Sequence, residues 1–386
     1  MRASAFIIFF SIVFTIYFLV NFYIYKHGLM AIPKESPYRN IFIWGFWTIV
    51  CCFPIGRIVE RFWTSPVMDA VIWIGSFWLA AMLFLFIATL TIDMVRLSNL
   101  IVPWFDRAFG SSFEQVKLYT FVGIFAGTFV TVLAGHINAV WTRVSHYNIT
   151  IAKNAGNIGK LRVVAASDIH MGTIIAQRRI GKLVRLVNEQ KPDIVLFAGD
   201  IVDEDLGPVI RRNLGSKLEQ IRSKYGTYAI TGNHEYIGGA ESAVKYLEQH
   251  KIKVLRDKAE LIDSAFYVAG REDRESQRMA GFKRKEVAEL LASTDKSKPI
   301  ILLDHQPYSL EKASDAGADI QLSGHTHHGQ IWPLSYITKA IFELSSGYLV
   351  KGNTHFFVSN GYGSWGPPVR LGNRPEIIVL DITFKK

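Results

Sequence analysis

Hydrophobic and polar positions divide this chain near residue 150. From Phe6 to Tyr25 the run FIIFFSIVFTIYFLVNFYIY carries no charge, and about 20 such residues at 1.5 Å each cross a hydrocarbon core of about 30 Å. Further apolar runs lie near Asn40–Pro54, Val67–Ile92 and Leu118–Val140, flanked by charges such as Arg57, Arg61, Arg96, Arg107 and Arg143. The pattern predicts an all-α transmembrane region within residues 1–145, of about four helices spanning 5–25, 40–56, 67–92 and 118–140. Pro54 and Gly56 cut the second span close to the minimum length. Trp44, Trp47, Trp63, Trp104 and Trp141 fall near span ends, where amphipathic rings prefer the headgroup level. Asp69, Asp93 and His136 also sit near predicted ends, which favours interfacial placement over an ion pathway. A signal peptide starting at Arg2 is the alternative for the first run, but the stretch is too long and no small-x-small cleavage site follows.

After Trp141 the pattern becomes short β-rich runs alternating with amphipathic stretches. Residues 161–167, 193–198, 226–231, 300–303 and 319–322 read as buried strands, and 178–190, 208–224, 242–250 and 285–293 as helices with apolar positions three and four apart. Such alternation predicts an α/β layered domain, placed at 158–386 behind a linker at 146–157.

Charge follows the same division. The first 150 residues hold ten basic and six acidic residues, the other 236 hold 33 and 27. The second half therefore has the charge density of an ordinary soluble domain, and the positive mean hydropathy belongs to the first. The net charge of +10 is spread over both halves. The densest basic stretch, 271–298, is interleaved with acids, so it reads as a solvated loop and helix more than a nucleic-acid groove; a Phe282-Lys283-Arg284-Lys285 knot facing anionic headgroups is the lesser alternative. Cys51 and Cys52 are the only cysteines and lie in an apolar run, which excludes a disulfide-stapled fold. Nothing in the pattern specifies an oligomeric state.

Five polar clusters begin where apolar strands stop, the place where open α/β sheets put their sites. They are Asp168-Ile169-His170, Gly199-Asp200-Ile201-Val202-Asp203, Gly232-Asn233-His234-Glu235, Asp304-His305 and Gly324-His325-Thr326-His327. In an extended chain positions i and i+2 project to the same side, so Asp-x-His can offer two ligands to one ion. The glycines at 199, 232 and 324 permit sharp turns and close backbone approach. Taken singly, each cluster also reads as a turn, a helix cap or a surface pair. Five of the 11 histidines fall in these strand-end clusters, and the joint occurrence reads as a metal site. Carboxylate and amide oxygens mixed with imidazoles suit Mn²⁺, Fe or Zn²⁺ better than an all-thiolate site would.

In these residues the chain resembles the calcineurin-like metallophosphoesterase family, whose pattern of D-x-H, GD-x-x-D, GNH[ED], a lone His and GH-x-H is matched in order from Asp168 to His327. The runs GHTHHGQIWP (324–333) and NGYGSWGPPVRLGNRPE (360–376) resemble more narrowly a membrane-anchored, mainly bacterial branch. The resemblance implies a four-layer αββα sandwich and two divalent metals, most often Mn²⁺. Asp168, His170 and His327 would hold the first metal, Asn233, His305 and His325 the second, and Asp200 would bridge both. His234 would be catalytic, with a metal-bridging hydroxide attacking phosphorus in line.

Where phosphoprotein phosphatases of the family carry Arg and Gly after the second Asp of GD-x-x-D, this chain has Glu204 and Asp205. His328 and Arg370 are candidate substrate contacts. Asp304 is a candidate orienter of an imidazole, and Asp203 an acceptor that stabilises its loop. The expected protein is a multi-pass inner-membrane phosphoesterase acting on a phosphate ester or pyrophosphate. Its partners would be the bilayer and a phosphorylated or lipid-linked substrate; UDP-diacylglucosamine is hydrolysed by some such relatives. A general nucleotide phosphodiesterase and a non-catalytic membrane sensor binding a phospho-ligand are the alternatives. An even number of spans puts the N-terminus and the polar half on one side. Lys160 and Arg162 tip a balanced count of basic residues toward the cytoplasm.

Overall fold

Apolar chain can satisfy its backbone polar groups away from water only by closing them on itself, and the apolar runs between Ala3 and Val140 do so as helices. The computed structural model describes residues 3–385. One of its two units takes in the chain up to Ile137 together with Gly366–Val369; the other holds Asn138–Trp365 and the residues from Arg370 onward.

The first unit is built from α1 (Ala3–Ala31), α2 (Tyr38–Val59), α3 (Pro66–Ile101), a short α4 (Phe105–Phe109) and α5 (Phe113–Val140). Four of these, α1, α2, α3 and α5, are long and apolar enough to cross a membrane. Much of their apolar surface is covered by no protein; Ile16, Trp44, Phe129 and Val130 are all more than half exposed. In water such exposure would cost about 25 cal/mol per Å², and it marks the chain as membrane-associated. Pro54 lies inside α2, which continues to Val59, so the proline does not end the second helix where the pattern suggested. Ile24, Phe46, Val50, Trp78 and Leu85 from α1, α2 and α3 pack together. Polar atoms among them are paired: Trp78 Nε1 donates to Asn21 Oδ1 (2.8 Å) and Tyr17 Oη to the Val50 carbonyl (2.8 Å). Asp93 accepts from Tyr23 Oη at 2.6 Å. At Gly75 α3 approaches α2 so closely that a Cβ would lie 2.5 Å from Phe53 Cα.

The second unit contains two six-stranded sheets. Its strands are β1 (Arg143–Ile151), β2 (Lys160–Ala166), β3 (Ile194–Ala198), β4 (Thr227–Ile230), β5 (Ile252–Val254), β6 (Lys258–Ile262), β7 (Phe266–Gly270), β8 (Ile300–Leu303), β9 (Ile320–Ser323), β10 (Gly347–Lys351), β11 (Thr354–Val358) and β12 (Glu376–Phe384). The first sheet runs β1-β12-β2-β3-β4-β5 and the second β10-β11-β9-β8-β7-β6. Side chains alternate across each strand. Leu161, Val163 and Ala165 of β2 and Ile378, Leu380 and Ile382 of β12 enter the core between the sheets, with Val268, Ile301 and Leu322 of the second sheet. Val164 and Ala166 face outward onto α6 (Gln177–Glu189), through Ile180, Leu183 and Val187. The outer face of the second sheet packs on Val287 and Leu290. The architecture is thus the four-layer α/β/β/α sandwich.

Three differences from the sequence pattern have local causes. Residues 146–151, read as linker, belong to β1, which pairs in parallel with β12 from Arg143↔Glu376 to Ile151↔Phe384; its alternation buries Ser145, Ile149 and Ile151. The single helix expected at 208–224 is split into α7 (Leu206–Arg211) and α8 (Gly215–Leu218), with Asn213 between them in the left-handed region (φ 46°). The stretch 285–293 winds only as Val287–Leu290.

Gly75→Val should force α2 and α3 apart at a cost of about 1–3 kcal/mol. A thermal melt of the detergent-solubilised protein would show this as a midpoint several degrees lower, and an unchanged midpoint would contradict the close approach.

Candidate metal centre

The strands deliver the clusters to one place. Asp168 and His170 follow β2, Asp200 follows β3, Asn233 and His234 follow β4, His305 follows β8, and His325 and His327 follow β9. Both sheets therefore contribute from their C-terminal ends. Asp168, His170, Asp200, His305 and His327 are buried. Asp168, His170, Asp200, His325 and His327 all have left-handed backbone, with φ between 45° and 70°, a conformation that costs a non-glycine residue about 1 kcal/mol or more and clusters at functional sites. Gly199, at φ 87°, lies where a Cβ would come 2.6 Å from His305 Nδ1, so only glycine lets that loop pass the imidazole.

The loops are tied by a buried carboxylate. Glu235 accepts from the amides of Asp200 (3.1 Å), Ile201 (2.7 Å), Val202 (2.8 Å) and Gly232 (2.7 Å), which joins the turn after β3 to the turn after β4. The Asp168 and His170 amides donate to the Gly199 and Asp200 carbonyls at 3.0 Å, bringing the turn after β2 into the same frame.

Two sets of donor atoms converge there. His170 Nε2 and His327 Nε2 lie 3.0 Å apart, and His327 Nε2 is 3.5 Å from Asp168 Oδ1. The 3.0 Å spacing matches two nitrogens each about 2.1 Å from one cation. In the second set, His305 Nε2 is 3.1 Å from Asp200 Oδ2 and 3.3 Å from Asn233 Oδ1, and Asn233 Oδ1 is 2.8 Å from His325 Nδ1. Asp200 Oδ2 also lies 4.0 Å from both His170 and His234 Nε2, so this carboxylate stands between the sets. Asp168, His170 and His327, and likewise Asp200, His305 and His325, each offer one ligand atom within 4.8 Å of the others. This mixture of buried oxygen and imidazole donors fits divalent cations.

Burial and neighbouring charge set the protonation of the metal-free protein. Burial, reinforced by the other imidazoles, pushes His170 down to about 4 and His325 to about 3. Both are neutral at physiological pH, as a metal ligand must be. Burial also lifts Asp168 to about 6. At His305 and His234 burial opposes the charged form, but at His305 the adjacent Asp200 outweighs it and raises the imidazole well above its usual range. At His234 Asp200, Asp203 and Glu204 together do so, pushing it up to about 9.

Some residues fall elsewhere than the sequence suggested. Arg370 is wholly buried, with Nη1 donating to the Asn360 carbonyl (2.7 Å) and Asn373 Oδ1 (2.9 Å), Nη2 donating to the Gly361 (3.3 Å) and Gly363 (2.6 Å) carbonyls, and His327 Nδ1 lying 3.1 Å from Nη2. A guanidinium so enclosed cannot reach a substrate, and it braces His327 instead. His328 is held on Ser345 Oγ at 3.0 Å and belongs to neither donor set. Asp304 does not orient His305. It pairs with Arg271 and Arg284, each at 2.9 Å, which also withdraws Arg284 from the headgroup-facing alternative. The His305 ring is fixed by the Ala198 carbonyl, 2.7 Å from Nδ1. Asp203 does more than brace its loop: it lies 3.4 Å from His234 Nδ1, a pairing that the GD-x-x-D spacing alone signals. Trp365, whose ring stands 5.8 Å from that of His234, was not singled out by any pattern.

A model described as calcineurin-like phosphoesterase matches residues 161–329. An uncharacterised metallophosphoesterase of Campylobacter jejuni is 30% identical over 99% of this chain and 100% of its own length. One from Aquifex aeolicus is 31% identical over 67% of this chain and 99% of its own. A Danio rerio protein described as a transmembrane protein with metallophosphoesterase domain is 31% identical over 69% of this chain and 62% of that protein. The chain belongs to the calcineurin-like metallophosphoesterase family, whose members are metal-dependent phosphoester hydrolases.

Glu235→Gln should turn an amide N–H₂ toward backbone donors and destabilise the fold by about 2 kcal/mol or more, seen as a lower melting midpoint. Because His305 is charged in the metal-free protein and must be neutral to ligate, metal uptake near pH 7 should release protons and tighten as pH rises. Calorimetric titrations in buffers of different ionisation enthalpy would measure the release, and none at all would contradict the charged His305.

Proposed function

We propose that the protein is a membrane-anchored dimetal phosphoesterase. The helices up to Val140 form its membrane region, and the domain that begins with β1 at Arg143 is its catalytic part. In this reading Asp168, His170 and His327 hold one divalent ion, Asn233, His305 and His325 hold a second, and Asp200 bridges them. The observation that carries it is the position of Asp200 between two sets of convergent donors. Two cations bound there, Mn²⁺ or alternatively Fe or Zn²⁺, would neutralise phosphoryl charge and acidify water.

The chain's own residues supply the rest. His234, backed by Asp203, stays protonated in its acidic surroundings, and its Nε2 faces the donor sets. It is thus placed to donate a proton to the leaving oxygen of a phosphate ester or pyrophosphate. Glu235 holds the two turns that carry Asp200 and Asn233, which keeps the separation of the donor sets fixed. Arg370 holds His327 from behind. Membrane association favours a lipid-linked or envelope-precursor substrate such as UDP-diacylglucosamine, and we assign the catalytic part to the cytoplasmic side of the inner membrane.

With Mn²⁺ the protein should hydrolyse a chromogenic phosphodiester and stop on addition of chelator. Asp200→Asn should lose bound metal together with turnover. His234→Ala should lower kcat about 10²–10⁴-fold while two metals per chain remain by elemental assay. Loss of a metal in His234→Ala would overturn its assigned role, and inactivity with every divalent ion would overturn the enzyme. Profiling of lipids and nucleotides consumed from membrane extracts tests the substrate class, and reporter fusions after residue 386 test the side.

A further inference from the structure

Beside the metal centre lies a face that the catalytic reading leaves unused. The helix α9 (Ser335–Ile341) has no buried residue. Tyr336, Ile337 and Ile341 are each more than half exposed, and Lys339 supplies a positive charge on the same helix. Just before it, Trp332 is half exposed and Leu334 is exposed as well. Trp365 joins this surface through Gln330, which precedes Ile331 and Trp332. The Gln330 side chain donates to the Trp365 carbonyl (3.0 Å) and accepts from the Trp365 amide (2.9 Å).

The face is anchored at the site on two sides. Phe342, immediately after α9, is buried with its ring 6.0 Å from that of His325, and Trp365 faces His234 as described above. Exposed aliphatic side chains next to one another would be costly in water. The composition here is more particular than apolar: two tryptophans and a tyrosine, with Leu and Ile between them and a lysine, is the mixture that settles at the headgroup level of a bilayer. The chain itself brings a bilayer close, since it carries four helices able to cross one. From Trp365 it runs directly into Gly366–Val369, the segment that groups with those helices, where His136 Nδ1 lies 2.8 Å from the Pro368 carbonyl.

We propose that α9, Trp332 and Trp365 form an interfacial face that rests in the headgroup layer of the membrane and presents the metal centre to phosphoesters at that depth. This deepens the catalytic reading by assigning the substrate to a lipid surface, but the docking itself stands or falls without turnover.

The test uses the full chain in lipid nanodiscs containing anionic phospholipid, with Cys51→Ala and Cys52→Ala as background. A single cysteine, Ile337→Cys, carries an environment-sensitive nitrobenzoxadiazole label. Glu248→Cys, exposed on the helix Ala240–Gln249, serves as the aqueous control, and Tyr336→Cys repeats the reading if Ile337→Cys fails to fold. Lipids bearing a nitroxide near the glycerol should quench the label at 337 at least twofold more than the label at 248, while aqueous iodide should quench it less. Equal behaviour at the two positions would overturn the proposal. So would protection at 337 from both quenchers, which would mean that protein, a second copy included, covers the face. Metal content and phosphodiester turnover of the same samples are read separately, so failure of docking and failure of the enzyme are distinguishable.

Discussion

Asp168 and Asp200 lie out of water where the two sheets meet, and a buried carboxylate costs several kcal/mol unless positive charge or hydrogen-bond donors meet it. Much of the second unit answers that demand. His325 N donates to Asp168 Oδ1 (2.9 Å) and Ser167 Oγ to Oδ2. His234 N donates to Asp200 Oδ1 at 2.9 Å, and the charged His305 faces Asp200 Oδ2. The demand is only partly met, since Asp168 is still pushed up to about 6. Divalent cations would complete the compensation, and left-handed backbone at five of the donor residues is the conformational cost of aiming them inward.

A second buried acid works in the opposite sense. Glu235 accepts from four backbone amides, and burial together with the nearby Asp200 pushes it up to about 7, so its oxygens serve the loops. One carboxylate therefore fixes the relation between the turns after β3 and β4, and a change of one ångström there would be felt at both donor sets. Asp304 plays a comparable part in the second sheet, neutralised by Arg271 and Arg284 while its neighbour His305 enters the site.

The legible parts of the sequence were those in which local pattern and chemistry coincide. β2, β3, β4, β8 and β9 are short apolar runs ending in Asp, Asn or His, and both their burial and their polar tips follow from that order. The apolar helices were legible because about 20 residues without charge have few other ways to fold. β1 was misread because Val144 to Ile151 interleaves Ser, His, Asn and Thr with its apolar residues, and the partner that makes it a strand, β12, is remote in sequence. Arg370 is not legible because exposure of a guanidinium is the usual expectation; only the folded loop shows four oxygen acceptors closing around it. α7 and α8 were merged because an Asn in the left-handed region leaves no mark in an apolar periodicity.

The position of β12 has a consequence for how the domain is made. Glu376–Phe384 is inserted between β1 and β2, parallel to the first and antiparallel to the second. During synthesis the strand that leaves the helical region and the strand that leads into Asp168 must wait for the strand that joins them until the two hundred or so residues between Ala166 and Glu376 have been made. The first sheet is closed by its latest segment. A nascent chain halted before residue 376 would carry the His and Asp clusters without a finished sheet beneath them, so the frame that aims the donors would be complete only once β12 had been added.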